Sequence, residues 1–309
     1  MLILALVTLL ATIGGVAAER RWKTGAQTLA GHLLEALVYV LMPVIIFFAV
    51  IDLHLTEAVG AGLAFGWTER LVVVVAAWLI GSRLLKLTRP QTGALMTVVA
   101  VANTGYLGIP LTALLLGHDK IPLAVAYDNV VNSPIVLLVG FGVGAAFGTK
   151  AGKSGRERVK AFFTRNPPLY ALILALLAPK SLAPSWGPDL VHIVAMGIAP
   201  VGFFALGVNL MLEHDETGVR IFPPPLTSAV FTALGLRLLL APAVMLVLSG
   251  ILIATPHTFL LEAAMPAGIN ALVVAHLYGL DMKITVGAIA WSTAIVLTAV
   301  TAIELFGGF

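Results

Sequence analysis

Apolar residues in this chain fall into long runs. They do not show the alternation of a half-buried strand or the narrow stripe of a soluble amphipathic helix. Ten runs can be marked: Leu2–Ala18, Leu33–Ile51, Thr68–Leu85, Gly93–Leu116, Ile121–Phe147, Pro168–Ala178, Pro188–Leu212, Leu226–Ala254, His257–Tyr278 and Ile284–Phe306. Most approach or exceed the roughly 20 residues that cross a bilayer as a helix. The sixth is short, and Pro167, Pro168 and Pro179 crowd it. The pattern predicts an all-α membrane protein with ten transmembrane helices.

Two of the runs are interrupted. In the fourth, Asn103-Thr104-Gly105-Tyr106-Leu107-Gly108-Ile109-Pro110 places two glycines and a proline where a continuous helix should be. In the ninth, Met265-Pro266-Ala267-Gly268-Ile269-Asn270 places a proline and a glycine in the same way. Proline suits the first turn of a helix, so a restart at Pro110 is expected. Broken helices survive in lipid only where the freed backbone groups face protein or a polar cavity. Two interrupted spans at corresponding positions point to a transporter's binding site.

Composition agrees with the pattern. Hydrophobic residues make up 60% of the chain and charged residues 11%, against about 25% charged in soluble domains. Mean hydropathy is +1.03. There is no cysteine, which removes disulfides and thiol chemistry. The placement of the basic residues says more than the net charge of +3. Alternate loops hold Arg20, Arg21 and Lys23; Arg83, Lys86 and Arg89; Lys150, Lys153, Arg156, Arg158, Lys160 and Arg165; Arg220; and Lys283, which is 14 of 18. By the positive-inside rule these loops are cytoplasmic and both termini lie outside, in a multi-pass protein of the inner (plasma) membrane. Arg70, Lys120 and Lys180 fall to the outer side, and Arg237 lies within a span. The first run is a membrane helix and not a signal peptide, because its positive charges follow the apolar stretch.

Ten runs divide five and five around the basic loop 149–166, giving repeats over residues 1–148 and 167–309. An odd number per half inverts the second half relative to the first. Residue matches agree: Pro43 and Pro200 are 157 positions apart, Pro110 and Pro266 156, and Ser133-Pro134-Ile135-Val136-Leu137 matches Thr293-Ala294-Ile295-Val296-Leu297 at 160. The fourth and ninth spans are then expected to cross near mid-membrane, with a half-helix N-terminus at each break. Asn103, Thr104, Gly105 and Pro110, with Pro266, Ala267, Gly268 and Asn270, become candidate substrate contacts. Their amide hydrogens and helix dipoles suit a carboxylate.

Asp128, Asn129 and Asn132 form a polar cluster in the fifth span, and Arg237 stands in the eighth. Ionisable groups inside a membrane are functional candidates by default. Asp128 is read as a proton or cation carrier or a helix contact, and Arg237 as its partner or an anion's. Glu262 is placed near the outer mouth in an exposed position, and Trp67 and Trp291 as interface anchors or packing. Gly148-Thr149-Lys150-Ala151-Gly152-Lys153-Ser154 is one residue short of a phosphate loop and lacks a flanking strand. No metal motif and no nucleophile elbow occurs, so an enzyme is not expected.

Ala102-Asn103-Thr104-Gly105-Tyr106-Leu107-Gly108-Ile109-Pro110-Leu111 resembles the fourth-helix motif of the auxin efflux carrier family. Tyr127-Asp128-Asn129-Val130-Val131-Asn132, Asn166-Pro167-Pro168, Ala199-Pro200 with Phe204-Ala205-Leu206-Gly207, and Ala264-Met265-Pro266 through Asn270 resemble it too, in the family's order. The resemblance implies the fold shared with bile acid:sodium symporters. It implies a scaffold of spans one, two, six and seven, a transport domain of spans three to five and eight to ten, a homodimer and an elevator-like movement. It implies a small organic anion, such as malate, malonate or an auxin-like acid, contacted at Asn103, before Pro110 and from Pro266 to Asn270. No cofactor is expected, and H+ or Na+ coupling stays open. The partners expected are that anion, the lipid bilayer and a second copy of the chain, with no nucleic acid. Two other readings remain: a sodium-coupled, bile-acid-like symporter on the same fold, and a membrane ligand sensor that moves nothing.

Overall fold

The computed structural model describes residues 2–51, 57–117, 120–152, 154–179, 182, 184, 186–217 and 223–306. Among these residues the regular structure is helical, and the extended pairing is one isolated bridge between Ala102 and Ala267. Five helical stretches are long and apolar enough to cross a membrane: Thr24–Phe48, Gly60–Leu84, Leu123–Phe147, Ser228–Ile251 and Met282–Ile303. Thr104–Leu115, Pro200–Leu212 and Ile269–Tyr278 are shorter apolar helical pieces.

Several boundaries differ from the sequence reading. The third helix begins at Glu57, not Thr68, and runs to Leu79 with a π-helical extension to Leu84. Gly62, Gly66, Glu69 and Arg70 look like loop and helix-end residues, yet they lie buried inside the helix because this face is covered by protein. A Cβ on Gly62 would meet the Phe259 ring at 2.4 Å, and one on Gly66 would meet Tyr127 at 2.8 Å. Pro200 does not interrupt its helix, which runs unbroken from Gly187 to Thr217. The short sixth span forms as Pro167–Leu177. Asn166 caps it by accepting from the Leu169 N–H at 3.3 Å, and its amide also donates to Leu137 O at 3.0 Å. Lys153, Lys180 and Arg220, used in the charge count, lie outside the described residues.

The helix Leu2–Trp22 packs along Gly187–Thr217 more extensively than any other pair. Glycines allow it: a Cβ on Gly15 would stand 2.1 Å from Phe204 O, and one on Gly207 2.0 Å from Thr12 O. Such backbone approach is how membrane helices gain contact where lipid offers no hydrophobic drive. Pro167–Leu177 packs on Met42–Ile51. A second body of contacts joins Glu57–Leu79, Arg89–Ala100, Ala241–Ile251, Ile269–Tyr278 and Met282–Phe306, and the two broken segments lie within it.

Candidate functional site

Both interruptions are real, and they meet. The first helix of the fourth span ends at Ala100, and Val101 is extended at φ −92°, ψ 112°. The second-half helix ends at Ala263 and restarts at Ile269. Between the ends the two strands of chain pair antiparallel. The Asn103 N–H donates to Pro266 O at 2.8 Å, and the Gly268 N–H donates to Val101 O at 2.8 Å. Gly268 must be glycine-sized, since a Cβ would lie 2.6 Å from Ala102 O.

The remaining amides of the bridge are clasped from neighbouring helices. The Ala102 N–H donates to Asn132 Oδ1 at 3.2 Å, and the Ala267 N–H donates to Ser292 Oγ at 3.1 Å. Asn132 and Ser292 are 160 positions apart, the same offset as the Ser133 and Thr293 match. Ser292 was missed by sequence reasoning, although that offset would have found it. The bridge therefore consumes the N–H groups of Asn103, Ala267 and Gly268, which were expected to face a ligand. The donors left are those of the first turns beginning at Thr104 and Ile269, which have no intrahelical acceptor.

The helix after the first break restarts at Thr104, six residues before Pro110. Pro110 is exposed and sits inside an ongoing helical run, so it does not mark the restart. The physical reason lies in the π-helical turn Thr104–Gly108, where Leu107 and Gly108 both donate to Asn103 O, at 3.2 and 3.0 Å. Asn103 itself is 2% exposed, and neither its Oδ1 nor its Nδ2 has a hydrogen-bond partner among the described residues. A buried amide of this kind carries a desolvation cost of about 1–3 kcal/mol unless something fills it. Pro266, Ala267 and Gly268 are buried beside it, and Asn270 is half-buried one turn on.

Asp128, half-buried, accepts from the Thr104 hydroxyl and, at 3.1 Å, from Asn132 Nδ2. Asn132 thus links the bridge to the carboxylate. Asn129 is half-buried in the same π-helical turn, Asp128–Asn132. A Cβ on Gly105 would lie 3.2 Å from Asp128 Oδ2, so the carboxylate rests on the glycine.

Arg237 is not the partner of Asp128. Its guanidinium donates to Met265 O at 2.8 Å, Ala263 O at 2.6 Å and Val99 O at 3.2 Å, and to Glu69 Oε1 at 3.3 Å. One buried cation thereby satisfies orphan carbonyls at the C-terminal ends of both first half-helices and opposes their dipoles. Glu69 supplies the counter-charge, and its other oxygen lies 3.4 Å from Arg70 Nε. Arg70, assigned above to the outer side, is fully buried, and none of its nitrogens makes a well-formed hydrogen bond among the described residues. Glu262, expected to be exposed, is 0% exposed. Its Oε1 accepts from the Thr112 hydroxyl at 3.2 Å, and its Oε2 has no hydrogen-bond partner among the described residues. Both corrections have one cause: a polar interior cannot be told from a helix end by hydropathy alone. The ring nitrogens of Trp67 and Trp291 donate to Val130 O and Pro224 O, each at 3.0 Å, so both are packed within the protein.

The family model described as "Membrane transport protein" matches residues 157–303. The chain is 25% identical to an uncharacterized transporter of Methanocaldococcus jannaschii, over 94% of this chain and 92% of that protein. It is 26% identical to an uncharacterized transporter of Methanothermobacter thermautotrophicus, over 68% of this chain and 66% of that one. With two broken helices joined at a buried bridge, the chain matches the membrane transport protein family over residues 157–303 and is similar along nearly its whole length to a protein named as a transporter.

Proposed function

We propose that this transporter moves a small organic anion, a carboxylate such as malate, malonate or an auxin-like acid, across the plasma membrane. The substrate binds where the two broken helices cross. One observation carries the reading. Asn103 holds a buried amide with no hydrogen-bond partner among the described residues, at the N-cap of a half-helix whose first-turn N–H groups lack intrahelical acceptors. A carboxylate needs donors of this kind, and the dipole of the half-helix adds favourable charge. Ile269–Tyr278 brings a second such N-terminus, with Asn270 in its first turn.

Transport proceeds by alternating access. Spans one, two, six and seven act as the scaffold of a homodimer, and the remainder carries the crossover across the membrane as an elevator. The packing of Leu2–Trp22 and Met42–Ile51 on Gly187–Thr217, and of Pro167–Leu177 on Met42–Ile51, supports that division, with the scaffold touching the crossover where Gly202 meets Ile269. Two inverted five-helix repeats account for the paired breaks, and both termini lie outside.

The test is uptake of labelled malate, malonate and indole-3-acetate into proteoliposomes, with and without sodium. Saturable uptake of at least one acid, lost in Asn103→Ala, supports the proposal. Saturable binding without flux would make the protein a sensor. Uptake that requires sodium would favour the symporter reading.

A further inference from the structure

Five ionisable side chains gather around the crossover: Glu69, Arg70, Asp128, Arg237 and Glu262. Three are acids and two are bases, so with all of them charged the group carries one net negative charge. An anionic substrate adds to that excess in a setting where water does not screen it. One positive charge must accompany the anion, or the site repels what it binds.

The hydrogen bonds single out where that charge goes. Glu69 faces both Arg237 and Arg70, at 3.3 and 3.4 Å, and the Tyr127 hydroxyl donates to it at 3.5 Å. Asp128 accepts from Thr104 and Asn132 and is half-buried. Glu262 is wholly buried, with one hydroxyl at Oε1 and, among the described residues, no hydrogen-bond partner at Oε2. A carboxylate left with an empty oxygen away from water is far costlier than a neutral acid there. As an acid, Glu262 can donate from Oε1 to Thr112 Oγ, leaving one uncharged carbonyl oxygen unfilled.

Space argues for a proton over a metal ion. A Cβ on Gly108 would stand 2.0 Å from Oε2, so the carboxyl oxygen presses into the notch that the glycine leaves. A hard cation needs several oxygen ligands around it, and this oxygen is backed by a helix. The charged and titratable groups facing Glu262 can be named by element. Arg70 comes from Glu57–Leu79, Tyr127 and Asp128 come from the fifth span, and Tyr106 on Thr104–Gly108 lies beside Asp128. Ala241–Ile251, packed on the helix His257–Ala263 that carries Glu262, contributes none. Arg70 is a nearby cation, and it is shared with Glu69.

We infer that Glu262 is the proton-bearing residue of the transport cycle, holding a proton before the anion arrives and carrying it along with the anion bound at the crossover. This rests on the transport reading above, with Asp128 an ionised ligand of the bridge and not the carrier.

Infrared difference spectroscopy on the purified protein in lipid nanodiscs, across a pH series, tests the inference without any substrate. The carbonyl band of a buried protonated carboxyl is expected in the wild type, absent from Glu262→Gln and retained in Asp128→Asn. Loss of the band in Asp128→Asn alone, or no such band in the wild type at any pH, overturns the inference. Where Glu262→Gln does not purify, Glu262→Asp replaces it, and a band identical in frequency to the wild type's is the overturning result. The transport arm uses labelled malate with an inward gradient of one pH unit, which can raise accumulation by up to about tenfold for one coupled proton. The ratio with and without the gradient falls to about one in Glu262→Gln. A ratio unchanged in that variant, or one driven by a sodium gradient instead, overturns the inference. Absence of malate flux in the wild type counts against malate as the substrate, and the infrared result then decides the proton by itself.

Discussion

Arg237 Nη1 stands 3.3 Å from Glu69 Oε1, and both side chains are almost completely buried. The same guanidinium holds carbonyls from both broken helices, so the ion pair serves as a staple at the crossover. Breaking a buried pair from one side strands the other charge and typically costs about 3–5 kcal/mol, whereas replacing both with apolar groups is often much milder. Arg237→Met is therefore expected to lower the thermal unfolding temperature sharply. Glu69→Leu with Arg237→Met recovers part of the loss. The recovery stays incomplete because the carbonyls of Val99, Ala263 and Met265 lose their donor. Thermal unfolding in detergent of the two single variants and the double variant checks this as a cycle. Additive losses would show that the two groups do not act together.

Gly105 and Gly108 lie three residues apart in one helix and so share a face. Each seats a carboxylate: Asp128 on the first, at 3.2 Å from a built Cβ, and Glu262 on the second, at 2.0 Å. Gly108→Ala must push Glu262 away from Thr112, and the effect on transport should be severe. Gly105→Ala asks for a shift of a few tenths of an ångström and should be milder. Gly142 has no atom within 4 Å of a built Cβ, so Gly142→Ala is the control. Alanine there should leave uptake intact and hold or raise stability, since it is the better helix former. Uptake and melting temperature of the three variants rank the positions, and an active Gly108→Ala would remove the seat from the argument.

Much of this site was legible beforehand, for reasons that particular residues make plain. Pro266 with Gly268, and Gly105 with Gly108, are expensive in an apolar helix, so their presence announces a break. Asn103, Asp128 and Asn132 are conspicuous because polar groups in lipid need a purpose. Arg70 and Glu262 are misplaced because each stands near the edge of an apolar run, where hydropathy reads charge as a helix end, and Glu69 beside Arg70 draws no notice for the same reason. Ser292 was overlooked because a serine can satisfy itself within a helix, and this one does donate to Ala288 O at 2.6 Å. Its second role, accepting from Ala267, depends on the fold bringing two distant segments together. The restart at Thr104 was hidden because a proline tolerated at N1 looks the same in sequence as one carried a turn further along.

The clasps on the bridge make a paired prediction. Ser292→Ala leaves the Ala267 N–H buried without an acceptor, at about 1–3 kcal/mol. Asn132→Leu does the same to Ala102 and also takes a donor from Asp128. Both should lower the melting temperature, Asn132→Leu by more. Ser292→Thr keeps the hydroxyl and should restore most of the loss. Hydrogen exchange at Ala102 and Ala267, read by mass spectrometry on the peptides that span them, should rise in the matching variant. Faster exchange at neither amide would mean that the clasps contribute no protection.

Asn103 offers the sharpest separation between folding and function. Its side chain makes no hydrogen bond among the described residues, so Asn103→Ala removes no internal bond and relieves a buried amide. Stability is expected to hold or rise slightly, by about 1 kcal/mol at most. Transport is expected to fall steeply, because the amide's unfilled valences are the ones offered to the anion. Asn132→Leu loses stability and transport together, whereas Asn103→Ala loses transport alone. Thermal unfolding read beside carboxylate uptake distinguishes the two. Added carboxylate should raise the melting temperature of the wild type, by mass action on the folded state, and should leave that of Asn103→Ala where it was. If ligand stabilises both equally, the anion rests on some other donor and Asn103 is a structural residue of the crossover.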